Sequence, residues 1–410
     1  MDRDVVYLDY NATTPVAEEV QIKITETLKT GWGNPSSNSG FGRIAKAVID
    51  EARTRVAACI GAEAYEIIFL SGGTEANNSV ICSVVQDHVR WMRDEPEADS
   101  CKPHIITSSI EHDATLEPLQ VFEKEGLIES TRLPIDRETG TINETQLLEA
   151  VRKNTVLVTL MLANNETGVI FDIPRITRLI ADLNEKRVKD GLLRISVHTD
   201  AAQAIGKIEV DVKKLGVDYL TIVGHKFYGP RIGALYVRAL DTEEGAPFKP
   251  MLFGGKQERG FRPGTENTPM IAGLGTAAAL VTSMGVDKLR ASFSRHRDYL
   301  ESQLKATFGD DVVVNFESVP RLPNTCNVSF KRTLAKDLSG ADILRKCPGV
   351  VASTGAACHS HITGGSKILR NCGVSPELVR TAIRFSTGRE TSMKDVDKAV
   401  EELKGCFRGI

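Results

Sequence analysis

The stretch TIVGHKFYGP, Thr221–Pro230, carries an apolar, strand-like run into a Gly-His pair and a single lysine, Lys226, before aromatic residues and a Gly-Pro turn. An ammonium group buried at the end of a core strand is costly, and a lysine there usually has a lowered pKa or forms an imine. The pattern therefore predicts a Schiff-base lysine at position 226. A lysine that extends along the surface into solvent is the alternative that this local pattern leaves open.

Two further apolar runs end in polar side chains. ISVHTDAAQ delivers Asp200 and then Gln203, and VLVTLMLANN ends in Asn164 and Asn165. Ligands of open α/β sheets bind at the carboxyl ends of strands, so these side chains are predicted to gather around Lys226. An amide, a carboxylate and a lysine suit a ring oxygen, a protonated ring nitrogen and an aldehyde. Pyridoxal 5'-phosphate presents all three groups, and Asp200 is the candidate carboxylate for its pyridine nitrogen.

The segment IIFLSGGTEANN, Ile67–Asn78, is a candidate phosphate site. An apolar run is followed by a Gly-Gly turn ending at Gly73, and Thr74 then opens a helix. Free N–H groups at a helix N-terminus bind phosphate without a basic side chain, although an ordinary capped helix has the same pattern. His112, in SSIEHD after a fourth strand-like run, is placed where a flat imidazole can stack on a pyridine ring.

Short motifs spread along nearly the whole chain resemble the cysteine desulfurase and selenocysteine lyase family of the aminotransferase class V group. The matching motifs are LDYNATTP at 8–15, GNPSS at 33–37, SGGTE at 71–75, EH at 111–112, NNETG at 164–168, HTDAAQ at 198–203, GHKFYGP at 224–230, RPGTEN at 262–267, GAAC at 355–358 and IRFSTGR at 383–389. Their number and order make the resemblance specific.

The resemblance implies pyridoxal 5'-phosphate as the cofactor. It implies that Lys226 carries the cofactor and removes a substrate proton, and that Asp200 holds the pyridine nitrogen. His112 is implied as a catalytic residue that stacks on the ring. Gln203 and Asn165 are implied on the side of the ring hydroxyl.

The same resemblance assigns the phosphate contacts. It implies that Gly73, Thr74 and His225 bind the phosphate within one subunit. Thr265, in RPGTEN, is implied to reach the phosphate of the partner subunit, so a homodimer is expected.

Three residues are implied to meet the substrate. Arg384 resembles the arginine that binds the substrate carboxylate, for which a planar, two-pronged donor is suited. Asn34, in GNPSS, is a second substrate-binding candidate. Cys358, in the small-residue stretch STGAACHS, is expected to meet the sulfur or selenium, either by accepting it or as an acid. A metal site of Cys358 with His359 and His361 has no evident fourth ligand, so no metal is predicted.

Two departures resemble the animal selenocysteine lyases more than common bacterial cysteine desulfurases. Asp113 follows the stacking histidine where those desulfurases commonly have lysine, and Val223 stands where they commonly have serine. The implied reaction is cleavage of L-selenocysteine to L-alanine with release of selenium, as selenide with a reductant, and Asp113 is the specificity candidate. Sulfur release from L-cysteine is the alternative activity. An aminotransferase and a non-enzymatic scaffold are further alternatives.

Strand-like and helical runs alternate through about Tyr236, which predicts a doubly wound α/β protein with a mainly parallel sheet. The resemblance implies the pyridoxal-phosphate fold type I, with a seven-stranded-type sheet in a large domain and a smaller α/β domain. We expect the large domain at residues 16–268. The small domain, residues 1–15 and 269–410, would carry the cysteine loop and the substrate arginine.

Composition limits the partners. The chain has 410 residues, 41% of them hydrophobic, and a net charge of −3 without a basic tract, so neither nucleic acid nor a membrane is expected. Its eight cysteines form no CxxC pair and no signal peptide is evident, which favours the cytosol. The expected partners are L-selenocysteine, a second copy of the chain and a protein that accepts selenium.

Overall fold

The computed structural model describes residues 5–94, 101–331, 333, 338–355 and 365–408. Its strands are β1 (Val6–Tyr7), β2 (Ile67–Leu70), β3 (His104–Ser108), β4 (Glu129–Leu133), β5 (Thr155–Met161), β6 (Ser196–Asp200), β7 (Tyr219–Val223), β8 (Gly233–Val237), β9 (Val312–Val314), β10 (Thr325–Phe330), β11 (Val350–Val351) and β12 (Ile383–Ser386). Its helices are α1 (Glu18–Thr30), α2 (Gly40–Cys59), α3 (Gly73–Asp94), α4 (Asp113–Lys124), α5 (Glu144–Ala150), α6 (Ile173–Lys189), α7 (Val212–Leu215), α8 (Thr268–Met284), α9 (Val286–Phe308), α10 (Gly340–Arg345), α11 (Lys367–Asn371), α12 (Pro376–Thr381) and α13 (Met393–Arg408).

The main sheet has seven strands in the order β2-β8-β7-β6-β5-β3-β4. Only β8 runs antiparallel to its neighbours, so the predicted fold class and mainly parallel sheet are confirmed. Strands β5 and β7 are buried at every position, which explains their unbroken apolar runs. Because β5, β6 and β7 are parallel, their carboxyl ends meet at one edge, as the polar residues after them predicted.

Charged side chains cover the outer edge of β2. Glu258 accepts a hydrogen bond from the main-chain N–H of Phe69 at 2.8 Å, and Arg53 donates to the carbonyl of Ile67 at 2.8 Å. Arg53 also forms a two-pronged ion pair with Glu258, at 2.7 and 2.5 Å. This capping leaves fewer free backbone groups for another strand to pair with.

The main sheet is covered by a hydrophobic core on each face. The first includes the buried side of α8, with Ile271 and Leu274, and the other contains Ile68 and Leu235. A further core is built on the antiparallel sheet β12-β10-β9 and on the parallel pair β1-β11, with α9 and α13 packed against it. The apolar side chains of α8 belong to the first core. The core of the main sheet therefore extends past the domain boundary predicted at residue 268. The division into two domains stays a prediction.

The N-terminal segment links the two smaller sheets to the turn after β7 of the main sheet. Leu8 hydrogen-bonds β11 and β12 through its main chain, and Thr14 donates its N–H to the carbonyl of His225 at 3.0 Å. The hydroxyl of Thr14 accepts from the N–H of Tyr228 at 2.8 Å, and Tyr228 has a left-handed φ of 66°. Residues 8–14 are therefore fixed against the turn that carries Lys226.

Among the described helices, no single one is long and apolar enough to cross a membrane. By length and composition alone, α8 and the helix that follows it would be long and apolar enough together, but they are bent by 82° where they meet.

Candidate active site

A cavity of about 220 Å³ opens at the carboxyl ends of β5, β6 and β7. It brings together most of the residues predicted from the sequence, namely Gly73, Thr74, His112, Asn165, Asp200, Gln203, Val223, His225, Lys226 and Arg384. These residues come from loops and strand ends far apart in the chain. The remaining walls include Asn11 and Ala12 of the N-terminal segment, which sequence reasoning did not assign.

Lys226 ends a short 3-10 turn, Gly224–Lys226, directly after β7. Its Nζ donates to the main-chain carbonyls of Asn11, at 2.7 Å, and Ala12, at 2.9 Å. The amine is therefore held inside the cavity rather than extended along the surface, which argues against the solvent-exposed alternative. Neutral carbonyl oxygens fix its position while leaving a primary amine beside the cavity.

Asp200 ends β6 and receives two directed hydrogen bonds. Its Oδ2 accepts from Asn77 Nδ2 at 2.9 Å, and its Oδ1 accepts from the N–H of Ala202 at 2.9 Å. Both donors lie within the protein wall, so the carboxylate is oriented before any ligand binds. A carboxylate held in this way can keep a ring nitrogen protonated.

Asn77 is itself oriented by a buried chain of polar groups. Thr221 Oγ1 donates its only proton to Asn77 Oδ1 at 2.7 Å. The same oxygen must therefore accept from His198 Nε2, which lies 3.0 Å away. His198 Nδ1 faces the hydroxyl of Thr159 at 2.8 Å. Burial lowers the pKa of His198 to about 4, so its ring is neutral near pH 7. Each group donates toward Asp200, and together they fix the amide of Asn77.

Glu111 is a second buried carboxyl group behind the cavity. It accepts a hydrogen bond from Ser108 Oγ at 2.6 Å. Burial, with a smaller contribution from the nearby charge of Asp200, raises the pKa of Glu111 to about 8. Glu111 is therefore mostly protonated near neutral pH, whereas Asp200 supplies the site's directed carboxylate.

His112 is the N-cap residue of α4. Its Nδ1 accepts a hydrogen bond from the N–H of Ala114 at 3.1 Å, which leaves the proton on Nε2 and fixes the ring. The ring lines the cavity, as a residue stacking on a planar ligand would have to. Asp113 is half-buried at the first position of the same helix and is not among the residues that line the cavity.

The N-terminus of α3 forms the predicted phosphate end. Gly73 begins this helix, and a Cβ at that position would lie 2.6 Å from Val223 Cγ2. The close approach explains the glycine and brings the free N–H groups of the first helical turn to the cavity. Glu75 lies in the same turn, but its charge is paired with Arg262, whose Nε donates to it at 2.9 Å.

His225 completes this end of the cavity. Burial, followed by the charges of Lys226 and Arg231, lowers the pKa of His225 to about 4. Its Nδ1 lies 3.1 Å from Thr13 Oγ1. Near neutral pH the ring is therefore neutral, so it can offer a cavity ligand a hydrogen bond but not a charge.

Arg384 reaches the opposite side of the cavity from β12. Its Nη1 donates to the carbonyl of Asn165 at 2.9 Å, and its Nη2 forms an ion pair with Asp9 Oδ1 at 2.5 Å. Its Nε is buried and has no hydrogen-bond partner in the part of the chain that the structure describes. A buried guanidinium with an unsatisfied N–H is suited to an anionic group such as a substrate carboxylate.

Some predicted residues lie elsewhere. Asn34 is exposed, with its Oδ1 bound to the N–H of Ser36, and Thr265 is also exposed; neither lines the cavity. Cys358, with the alternative metal ligands His359 and His361, lies outside the described residues. Among the residues that are described, no group of three or more His, Cys, Asp or Glu side chains is arranged to hold a metal ion.

Sequence reasoning missed several residues of the site. Asn11 lies within a motif that marked the resemblance, but no role was assigned to it, and Asp9 lies in the same motif. Asn77 and Glu111 also lie within or beside quoted motifs. Lys207 follows Gly206 at the end of an apolar segment, and that position was the only local signal for it. It lies in the wall behind the cavity.

The donor set fits pyridoxal 5'-phosphate. The cavity presents an amine to an aldehyde, a carboxylate to a ring nitrogen and a helix N-terminus to a phosphate. It also offers the side-chain amide of Gln203, whose Nε2 donates to the carbonyl of Asn11 at 2.9 Å and carries a second N–H. No residue in this set requires a different cofactor.

The comparisons with known proteins agree with this geometry. The sequence model of the family aminotransferase class-V matches residues 6–399. The chain is 50% identical to selenocysteine lyase of Bos taurus over 409 residues, covering 97% of this chain and 92% of the bovine protein. It is 40% identical to cysteine desulfurase IscS of Dictyoglomus turgidum over 403 residues, covering 97% and 93%. A solved NifS-like protein superimposes with a TM-score of 0.82 at 29% identity, covering 99% of this chain and all of that one.

Proposed function

We propose that this chain, which belongs to the aminotransferase class-V family, is a pyridoxal-phosphate-dependent selenocysteine lyase. It breaks the Cβ–Se bond of L-selenocysteine, leaves L-alanine and releases selenium, which becomes selenide when a reductant supplies two electrons. The observation that carries the proposal is the 50% identity to bovine selenocysteine lyase over nearly the full chain, against 40% to the cysteine desulfurase.

Lys226 and Asp200 provide the central chemistry. Bound pyridoxal phosphate supplies an electron sink that stabilises negative charge at the substrate Cα. Lys226 Nζ would hold the cofactor's aldehyde carbon and would take the proton from the substrate Cα. Asp200, fixed by Asn77 and Ala202, holds the proton on the ring nitrogen. The remaining cavity residues orient these reacting groups.

Arg384 binds the substrate carboxylate in this proposal. Its buried Nε and its planar fork supply parallel donors that a carboxylate can accept. The ion pair with Asp9 holds the guanidinium in place and partly offsets the cost of burying its charge. Binding of the carboxylate directs Cα toward Lys226.

Cys358 is proposed as the residue that meets the selenium, either as its transient acceptor or as the acid that protonates it. Cys358→Ala tests whether the residue is needed. If it is essential, the variant should turn over little selenocysteine.

Asp113 is proposed to set the preference for selenocysteine, whose selenol ionises more readily than a thiol. If Asp113→Lys leaves the ratio of selenocysteine to cysteine turnover unchanged, Asp113 does not set it.

We also propose a homodimer. Exposed apolar side chains concentrate on α1, α2 and the segment between them, namely Ile22, Leu28, Trp32, Phe41 and Ile44. Trp32 and Phe41 pack together with ring centroids 4.7 Å apart. Exposed apolar side chains grouped in this way favour a protein interface. Light scattering tests the proposal, and a monomeric mass with full activity would contradict it.

A cytosolic location is proposed because every cysteine in the described part of the chain is a free thiol.

Thr265 is proposed to reach the partner's cofactor phosphate and Asn34 to bind substrate, since both are exposed and available to a second subunit. A separate protein is proposed to accept the released selenium. Fractionation and co-purification under reducing conditions test the location and the acceptor.

The test of function is alanine formation by the pyridoxal-phosphate-loaded protein, with L-selenocysteine and L-cysteine assayed side by side under reducing conditions. Strong preference for selenocysteine supports the lyase. Equal or faster turnover of cysteine assigns the chain to the desulfurases instead. Lys226→Ala serves as the matched control: it should lose at least roughly 10²-fold in turnover and the cofactor–lysine bond that borohydride traps in the wild type.

A further inference from the structure

Lys207 is a buried lysine that the reaction above does not use. Only 4% of its surface is exposed, and lysine is almost never this buried unless it is paired. Its Nζ donates to Gln203 Oε1 at 2.8 Å and to Asn11 Oδ1 at 3.0 Å. No carboxylate forms an ion pair with it within the described residues. Burial, then the charges of Lys226 and Arg384, lower the pKa of Lys207 well below its usual value.

The contact with Lys207 fixes which end of the Gln203 side-chain amide faces the cavity. An amide oxygen only accepts hydrogen bonds and an amide nitrogen only donates them. Lys207 occupies Oε1, while Nε2 donates to the main-chain carbonyl of Asn11 at 2.9 Å. Flipping the amide would place Oε1 against that carbonyl, oxygen to oxygen. The second N–H of Gln203 is therefore the group left for a ligand in the cavity.

Asn11 connects this arrangement to the reactive lysine. Its main-chain carbonyl accepts from Gln203 and, at 2.7 Å, from Lys226 Nζ. Its side-chain Oδ1 accepts from Lys207 and from Asn324 Nδ2, both at 3.0 Å. Both the main-chain carbonyl and the side-chain Oδ1 of Asn11 are thus held by donors, and Lys207 donates to the side-chain oxygens of Asn11 and of Gln203.

We propose that Lys207 is a positioning residue that directs the Nε2 donor of Gln203 toward the ring oxygen of pyridoxal phosphate. This inference rests on the proposed function, because it needs that cofactor in the cavity. A donor at the ring oxygen favours its negatively charged form. Without Lys207, Oε1 of Gln203 loses its donor and the amide is no longer held in one orientation. Pyridoxal phosphate then binds more weakly, and its bound form titrates at a higher pH.

The experiment is a double-mutant cycle of Lys207→Met and Gln203→Leu, read by equilibrium binding of pyridoxal phosphate to the cofactor-free proteins. Each single variant should weaken binding by roughly 10-fold, the size of one charge-assisted hydrogen bond. The double variant should bind no more weakly than the weaker single variant, because both changes remove the same donor. The pH midpoint of the bound cofactor's absorbance should rise in both single variants.

Lys213→Met is the matched control, since Lys213 is an exposed lysine on α7, and it should match the wild type in both readings. Additive losses in the double variant, or wild-type binding by Lys207→Met, would overturn the positioning role and leave the proposed function intact. Failure of the wild type to bind pyridoxal phosphate would overturn the proposed function itself. If Lys207→Met does not fold, Lys207→Leu, which also removes the donor, takes its place in the same cycle.

Discussion

Asp9 and Arg384 form a buried ion pair beside the cavity, with Asp9 Oδ1 2.5 Å from Arg384 Nη2 and Arg384 only 2% exposed. Asp9 belongs to the N-terminal segment and Arg384 to β12, so the pair joins residues from opposite ends of the chain. Asp9 Oδ2 also accepts from Ser353 Oγ at 3.0 Å. The pair holds the guanidinium in the orientation that a substrate carboxylate would meet.

Asp9→Asn should therefore destabilise the protein. The change keeps the shape of the side chain but leaves Arg384 buried without its counter-ion, and we expect a loss of about 2–4 kcal/mol in the free energy of unfolding. Urea unfolding at neutral pH measures it. Glu129→Gln is the control, because it breaks the exposed pair with Arg152, and it should cost about 0–1 kcal/mol. Equal losses in the two variants would show that the buried pair is not special.

Arg384→Lys should impair substrate binding more than folding. Lysine keeps the positive charge but has no planar fork, so it cannot donate two parallel hydrogen bonds to a carboxylate. We expect kcat/KM for L-selenocysteine to fall by roughly 10- to 100-fold, with most of the change in KM. Steady-state kinetics measure it. An unchanged KM would place the carboxylate elsewhere.

Thr221→Val should loosen Asp200. Valine has the same shape as threonine but removes the hydroxyl that donates to Asn77 Oδ1, which frees the amide that in turn binds Asp200. We expect pyridoxal phosphate to bind roughly 10-fold more weakly. Thr107→Val removes another buried hydroxyl of the same sheet, which donates to the carbonyl of Thr159 at 2.9 Å and not to Asn77. That control should bind the cofactor as the wild type does.

Glu111→Gln should flatten the dependence of stability on pH. The pKa of Glu111 is raised to about 8 in the folded protein, so its protonated form favours folding at low pH. That contribution is present in full below the unfolded pKa of about 4.3 and is lost as the pH rises through about 8, on the order of 5 kcal/mol in all. Glutamine keeps the acceptor for Ser108 and does not titrate.

Unfolding free energies of wild type and Glu111→Gln at pH 5 and pH 8 measure this effect. The variant should lose less stability than the wild type between those two values. Equal losses of unfolding free energy in the two proteins would mean that Glu111 is already ionised, or already exposed, at pH 5.

Much of the cavity was predictable from local sequence. Lys226, Asp200 and Asn165 each follow an apolar run, and parallel strands end at the same edge of a sheet, so neighbouring strand ends had to meet. Gly73 was predictable because a glycine before a helix start is typical of a phosphate site. In each case the signal lies within a few residues of the functional group.

The supporting residues carried no such local signal. Asn11 contacts Gln203, 192 positions away, and Asp9 pairs with Arg384, 375 positions away. Lys207 looks like an ordinary lysine after a glycine, and its burial becomes evident only when Asn11 packs over it. Likewise, the motif containing Asn34 suggested a substrate contact, yet the folded chain leaves that side chain exposed and outside the cavity.

The residue pattern alone therefore determined the α/β class, the strand ends that carry the reactive groups and the chemistry those groups suit, because periodicity and short motifs reflect local backbone geometry. Tertiary structure decided which amide faces the cavity, which carboxylate holds Arg384 and which lysine lies behind the site. Those features depend on Asn11 and Asp9, which lie 192 positions from Gln203 and 375 positions from Arg384, and which reach them only when the N-terminal segment packs beside the cavity.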